Sequence, residues 1–254
     1  MTRWLRTTLH HLRFIGLSFW RNPTAAFFGI AFPLMILAIN SAVFGGNSTR
    51  IHGEVVPFTA FYVARMSVFA VVMTCLTNLA TSIAYDRDMG RLKRIRGTPT
   101  PVSAYVSARL LFALGVGLFT TLLCVAVGML FFGVHVSGRH LGAFLLTMLA
   151  GSVSLGGIAL AIVAVIPNAQ AAPAILNAAT FPILFLSSVF FPITNMPAWL
   201  NTLTHALPVR PLANAAMDAF FGDGPEISDL AILLAWGVVG AVIAARFFRW
   251  QPNR

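Results

Sequence analysis

The feature that most constrains the fold is a run of seventy residues, 140–209, that contains no Asp, Glu, Lys or Arg. That length provides two or three membrane-spanning helices, because one span needs about 20 apolar residues. The rest of the chain agrees with this, since 58% of its 254 residues are hydrophobic and 9% are charged, against roughly 25% charged in a soluble domain. The sequence therefore predicts an all-α integral membrane protein.

The basic residues predict how the chain is oriented. Twelve of the 17 lie in three places, the N-terminus, a central stretch and the C-terminus: Arg3, Arg6, Arg13, Arg21; Arg87, Arg91, Lys93, Arg94, Arg96; Arg246, Arg249, Arg254. By the positive-inside rule, both termini and the central stretch are expected on the cytoplasmic side of the cell membrane, which requires an even number of spans. The net charge of +10 is thus explained by topology, and no nucleic-acid partner is expected.

Apolar runs separated by Gly and Pro predict a single transmembrane domain over 1–254. An amphipathic helix lying in the membrane surface is expected over 2–21, where aromatic and aliphatic residues are interleaved with Arg and His. Residues 192–224 contain four prolines among many apolar residues, which predicts an external re-entrant segment of two short helices. Pro182 should kink the span that contains it. The six predicted spans are 24–44, 57–84, 102–132, 141–166, 171–191 and 228–248.

The central stretch, residues 85–101, reads YDRDMGRLKRIRGTPTP and has the signals of a short capped helix. Asp86 is a suitable N-cap, and Gly97 can end the helix before Pro99. Met89, Leu92 and Ile95 would then form an apolar stripe beside the arginines. The charge alone also fits an ordinary loop that serves only topology, and the sequence leaves that alternative open.

Candidate residues for a transport pathway are few. Arg65 and Arg109 are charged residues well inside predicted spans, where an ionisable group indicates a functional site unless its side chain reaches the nearer membrane surface. Asn78, Asn177, Ser187 and Ser188 could line a pathway or simply bond neighbouring helices. The six His residues show no metal-ligand spacing, and Cys75 and Cys124 lie in apolar runs as small buried residues. No catalytic, metal or cofactor-binding residues are predicted.

Two motifs resemble those of permease subunits of type-2 ATP-binding-cassette (ABC) transporters. One is DRDMGRLKR, followed by GTP, over 86–99. The other is FPILFLSSVFFP, over 181–192, followed by MPAWL at 196–200. In this chain Asp replaces the usual Glu of the first motif, Arg91 stands at its Thr position, and Ser188 stands at the usual Gly position of the second. The resemblance covers the whole chain and implies an N-terminal elbow helix, six spans and a re-entrant segment before the last span.

The resemblance also implies partners. In that family the first cytoplasmic loop is a coupling helix that docks on an ATPase subunit. The expected contact residues here are Asp86, Arg87, Asp88, Met89, Arg91, Leu92, Arg94 and Ile95. No GxxxxGK[ST] phosphate loop occurs in the chain, so ATP and Mg would be bound by a separate nucleotide-binding subunit. A second permease copy or homologue would complete the pathway, as a homodimer or a heterodimer.

The expected function is export of an amphipathic drug or lipid across the cell membrane, as in multidrug efflux and antibiotic resistance. An ion-coupled secondary carrier is one alternative, although such carriers need carboxylates in the membrane core and none occurs from Met89 to Met217. A non-transporting membrane scaffold is another. It would leave the capped basic helix and the re-entrant segment without a role.

Overall fold

The computed structural model describes residues 2–51, 54–97, 101–193, 196–222 and 224–247, and most of these are helical. Thr98 and Pro99 of the central motif, and Arg249, Trp250 and Arg254 at the C-terminus, lie outside the described residues. The described helices, in chain order, are α1 (Thr2–Trp20), α2 (Pro23–Phe44), α3 (Phe58–Asp88), α4 (Arg91–Arg96), α5 (Val102–Phe132), α6 (Gly138–Val165), α7 (Ala172–Leu186), α8 (Ala198–Ala206), α9 (Val209–Phe221) and α10 (Ile227–Phe247).

Five of these helices, within the described ranges, are long and apolar enough to cross a membrane: α2, α3, α5, α6 and α10. The predicted span 171–191 instead holds the shorter helix α7, which has 15 residues. At 1.5 Å per residue α7 is about 22 Å long, less than the roughly 30 Å of a hydrocarbon core. Pro182 lies inside α7, which continues across it.

The early end of α7 has a local cause at Ser187 and Ser188. The N–H of Ser188 donates to Phe185 O, and the N–H of Val189 donates to Leu184 O, each at 3.2 Å. This is a Schellman motif, and its αL position is Ser188, at φ 56°. Because that conformation ends the helix, α7 stops five residues before the predicted end of the span.

Helix α3 lies at the centre of the bundle and packs against α2, α5, α6 and α9. Its first part, Phe58–Val72, is mostly apolar, with Arg65 as its one charged residue, and nearly all of its side chains are buried. A helix that is apolar all round belongs in an interior. Both α2 and α3 contain a π-helical segment, Phe27–Ala31 and Met73–Asn78 respectively, and these two segments are in contact.

Helices α6 and α10 approach each other closely through glycines. Gly157 of α6 packs against Gly237 and Gly240 of α10, where a β-carbon on Gly240 would lie 2.6 Å from the Gly157 carbonyl carbon. The hydroxyl of Ser154 donates to the backbone oxygen of Leu233 across the same interface. Small residues allow this close approach, and an interhelical hydrogen bond supports it.

The segment predicted over 192–224 contains two short helices, α8 and α9. Helix α9 packs into the bundle against α3 and α6, and Leu212 occupies the space above Gly151. The indole nitrogen of Trp236 donates to the backbone oxygen of Ala206 at 2.7 Å and thereby connects α8 with α10. The depth of this segment in a bilayer stays a prediction.

The loop between α2 and α3 contains an antiparallel hairpin that the sequence pattern did not predict. Strands β1 (Ser48–Ile51) and β2 (Glu54–Pro57) pair in the register Thr49 with Val56. The described chain is therefore helical with one small two-stranded hairpin, which the all-α prediction did not include.

Candidate functional site

The candidate site is the turn between α3 and α4. Helix α3 continues to Asp88, Gly90 reverses the chain at φ 67°, and α4 then runs over Arg91–Arg96 to its C-cap at Gly97. The prediction of a separate helix beginning at Asp86 was wrong, because Asp86 is in the last turn of α3. The predicted end at Gly97 is confirmed.

Asp86 is a buried carboxylate that connects three elements. Only 2% of it is exposed, and it accepts hydrogen bonds from Arg91 at 2.9 Å, from the hydroxyl of Tyr105 and from Arg109. A charge removed from water must be paired and hydrogen-bonded, and two guanidinium groups with one hydroxyl do this. Asp86 therefore positions α4, through Arg91, against α5.

Arg87 is fully buried and caps the C-terminal end of α6. Its Nη1 donates to Val163 O at 2.8 Å, and its Nη2 donates to Ile166 O at 2.7 Å and Pro167 O at 3.4 Å. The last carbonyl groups of a helix lack intrahelical partners and carry partial negative charge, so a guanidinium satisfies them well.

Asp88 completes the same contact. It pairs with Arg87 at 3.2 Å and accepts a hydrogen bond from the backbone N–H of Ala169, in the turn that follows α6. The charged side chains of 86–88 therefore bond to the chain itself. They fix the end of α3 to α4, α5 and the α6–α7 turn.

This geometry corrects the predicted contact surface. Asp86 and Arg87 are buried, and Leu92, which was predicted to be an apolar knob in the ATPase groove, is only 1% exposed. A side chain in the interior of this chain cannot also be the outer contact of a docked partner. Asp88 and Ile95 are half-buried.

The exposed face of the turn has a different composition. Met89 is 53% exposed and the Arg91 side chain is 54% exposed, and Lys93 and Arg94 are exposed as well. One flexible, exposed apolar side chain on the same turn as three exposed basic side chains is suited to a partner with an acidic, partly apolar groove. Met89, Arg91, Lys93 and Arg94 are called the basic face below.

A cavity of about 490 Å³ lies beside this turn, between α1, α3 and α5. Asp86, Arg91 and Arg109 line one end, and Asn78 with Val116 lines the other. Asn78 is thus placed in a cavity wall, as a pathway residue would be. His11 of α1 lies beside the ring of Tyr105, and burial, with His10 and Arg109 nearby, lowers the pKa of His11.

Arg65 lies away from this cavity. At a rise of 1.5 Å per residue it is about 20 Å from Asn78 along α3. It is 7% exposed, donates to Ser187 O at 3.4 Å and has its guanidinium over the ring of Phe61. The side chain is therefore directed into the protein, and its position relative to the membrane surface stays a prediction. The structure joins Arg65 with Ser187 and places Asn78 elsewhere.

The remaining predicted pathway residues lie on or just after α7. The amide oxygen of Asn177 and the hydroxyl of Ser187 are buried without a hydrogen-bond partner among the described residues, whereas the Ser188 hydroxyl accepts from Ile193 N–H at 3.4 Å. Arg109 is held by Asp86, so its role in this structure is an ion pair. No group of three or more His, Cys, Asp or Glu side chains in the described ranges could hold a metal ion.

Sequence reasoning did not identify Tyr105 as part of the site. The signal was present, because Tyr105 and Arg109 are four residues apart and therefore share one face of α5. The role of Arg87 had no comparable local signal. Its carbonyl acceptors are 76 and 79 residues away in the chain.

Comparison with known proteins agrees with the family resemblance of the two sequence motifs. The family described as ABC-2 type transporter matches residues 13–221. The chain is 29% identical to the daunorubicin resistance ABC transporter permease protein DrrB1 of Streptomyces coeruleorubidus, over 97% of this chain and 86% of that protein.

Two further relatives are more distant. The probable multidrug ABC transporter permease YbhR of Escherichia coli K12 is 26% identical over 62% of this chain, and that match covers 43% of YbhR. The putative transport permease ycf38 of Porphyra purpurea is 22% identical over 91% of this chain and 80% of that protein.

Proposed function

The chain belongs to the ABC-2 type transporter family, and on that premise we propose that it is the membrane-spanning subunit of an ABC exporter driven by a separate ATPase. The observation that carries this proposal is the family match over residues 13–221, which includes the charged turn and four of the five long apolar helices described, α2, α3, α5 and α6. The permease itself catalyses no reaction; its role is to provide the membrane path.

The basic face is the proposed docking surface for the ATPase subunit. It lies on a turn whose position is fixed by the Asp86–Arg109 ion pair to α5 and by hydrogen bonds to the end of α6. A force applied to α4 would therefore reach α3, α5 and α6 together. This rigidity supports a coupling role, because a loosely attached loop would absorb a partner's movement.

The proposed membrane arrangement has six spans, with both termini and the basic face in the cytoplasm. In it α7 is the fifth span, and residues 187–191 complete its passage. The basic residues at the α3–α4 turn support this orientation by the positive-inside rule. Two copies of the chain, or one copy and a homologue, would enclose the pathway.

The proposed substrate class is an amphipathic drug or lipid. Two relatives are named as a daunorubicin resistance permease and a probable multidrug permease, which supports a drug-like substrate. The polar groups in the predicted spans are mostly uncharged, with Arg65, Arg109 and Asp229 among the exceptions, and this suits a largely apolar cargo.

The direct test is reconstitution with a phosphate-loop ATPase encoded beside the permease. We expect the two proteins to copurify, and we expect ATP hydrolysis in liposomes to rise when an amphipathic compound such as daunorubicin is added. A hydrolysis-deficient ATPase is the control. Transport driven by an ion gradient without ATP would contradict the proposal and favour a secondary carrier.

A further inference from the structure

The cavity between α1, α3 and α5 is amphipathic. Its volume of about 490 Å³ is within the range of roughly 300–1,000 Å³ typical of small-molecule sites. Ile15, Phe19, Phe112 and Val116 provide apolar walls. Arg109 and Val116 are seven residues apart on α5, so the charged end and the apolar end are separated by about 10 Å.

The charged end is net positive. The carboxylate of Asp86 faces two guanidinium groups, those of Arg91 and Arg109, which leaves one positive charge in excess. Because the Arg91 side chain is 54% exposed, its guanidinium can bond to a second anion while it remains beside Asp86. Guanidinium groups bind phosphate and carboxylate in bidentate geometry.

The inner end of the cavity is lined by Asn78. Asn78 is in the cavity wall, although its amide nitrogen is itself buried, has no hydrogen-bond partner among the described residues and is not reached from the cavity. It is also the last residue of the π-helical segment Met73–Asn78, and such segments often occur at functional sites.

We propose that this cavity binds one anionic amphiphile. Its phosphate or carboxylate group lies at Arg91 and Arg109, and its apolar part lies along Phe19, Phe112 and Val116. Leu9 and Leu17 are exposed apolar residues of α1, the helix predicted to lie in the membrane surface. The cavity beside α1 is therefore expected to be next to membrane lipid.

This inference goes beyond the export function, because it concerns binding by the permease alone. The test uses purified permease in dodecylmaltoside and measures saturable binding by native mass spectrometry. The probes are dioctanoyl phosphatidic acid, dioctanoyl phosphatidylcholine and inorganic phosphate. We expect phosphatidic acid to bind at least about tenfold more tightly than the other two, because phosphatidylcholine carries a compensating ammonium group and inorganic phosphate has no apolar part.

Two variants locate the site. Arg91→Gln should weaken phosphatidic acid binding about tenfold. Arg94→Gln, which removes the same charge from an exposed residue of α4 outside the cavity, should leave it unchanged. Ser18→Trp fills the cavity from the exposed side of α1 and should abolish binding without removing a charge; its elution profile and helical circular dichroism check the fold.

Three results would overturn the inference. Equal binding of inorganic phosphate would show an anion site without an amphiphile. Equal losses in Arg91→Gln and Arg94→Gln would show diffuse attraction to a basic surface. Full binding by a folded Ser18→Trp protein would place the lipid elsewhere.

Discussion

At the scale of single residues, Arg87 has the most demanding position in the described part of the chain. It is fully buried and satisfies carbonyl groups at the end of α6. Replacing it with Ala would leave those acceptors, and the carboxylate of Asp88, without their cation. We expect Arg87→Ala to lower the free energy of unfolding by about 3 kcal/mol or more, measured by thermal unfolding of the purified protein.

Arg94→Ala is the matched control for that measurement. Arg94 is an exposed arginine only seven residues further on, so its loss should change the free energy of unfolding by less than about 0.5 kcal/mol. Equal effects of the two substitutions would mean that the Arg87 contacts do not stabilise the fold.

Ser188 is a second residue that allows a test, because its backbone conformation is strained. It is in the αL conformation at the end of α7, where Gly is the usual residue in the family that the motif resembles. In that conformation a non-glycine residue lowers the free energy of unfolding by roughly 1–2 kcal/mol. Ser188→Gly should therefore raise the unfolding free energy by about 1 kcal/mol.

Gly133 provides the reverse test. It has φ 65°, and a β-carbon there would meet no atom within 4 Å, so Gly133→Ala should lose stability through the backbone alone. An unchanged melting temperature in Ser188→Gly would show that residue 188 adopts another conformation in the folded protein.

At the scale of helices, the contact between α6 and α10 depends on glycine. A β-carbon on Gly240 would press against the backbone of Gly157, and backbone cannot rotate away as a side chain can. We expect Gly240→Ala to destabilise the protein by about 1–3 kcal/mol, measured as a shift in thermal unfolding.

Gly142 of α6 is the control, because no atom lies within 4 Å of a β-carbon there. Gly142→Ala should be neutral or stabilising by up to about 1 kcal/mol, since Ala favours helix. If the two alanine variants were equally stable, α6 and α10 would not approach each other as closely as described above.

The helices also show what the sequence could and could not predict. Hydropathy alone located α5, whose bounds Val102–Phe132 coincide with the predicted 102–132, because a long apolar helix is determined by its own residues. The beginning of α4 was misplaced, because Asp86 has the sequence signal of an N-cap but is used by Tyr105 and Arg109, which are 19 and 23 residues away. Contacts of that kind have no local signature.

At the scale of the whole molecule, the proposed topology can be tested with single cysteines at exposed positions. Cysteines replacing Asn47 and Ser137 should react with an impermeant maleimide from outside intact cells, and those replacing Lys93 and Asn168 should react only after permeabilisation. The native Cys75 and Cys124 are buried and should give little background. Labelling of position 93 from outside would invert the arrangement.

The central claim is that the basic face couples the permease to an ATPase, and Met89 is its exposed apolar residue. Met89→Asp places a carboxylate in the apolar part of the proposed contact, which should cost several kcal/mol if it is buried there. Met89 is exposed in the permease, so the permease itself should fold and insert normally. Leu92→Asp would not separate these effects, because Leu92 is buried within the permease.

The most direct measurement is pull-down of the ATPase by Met89→Asp permease, normalised to the amount of permease in the membrane. Arg139→Glu is the control, because Arg139 is at the N-terminal end of α6, whereas the α3–α4 turn bonds to the C-terminal end of that helix. The account predicts that Met89→Asp loses at least about nine-tenths of the captured ATPase, since 1.4 kcal/mol already gives a tenfold change. Arg139→Glu should retain all of it. Full capture by Met89→Asp, with normal membrane levels, would contradict the claim that this face is the docking surface.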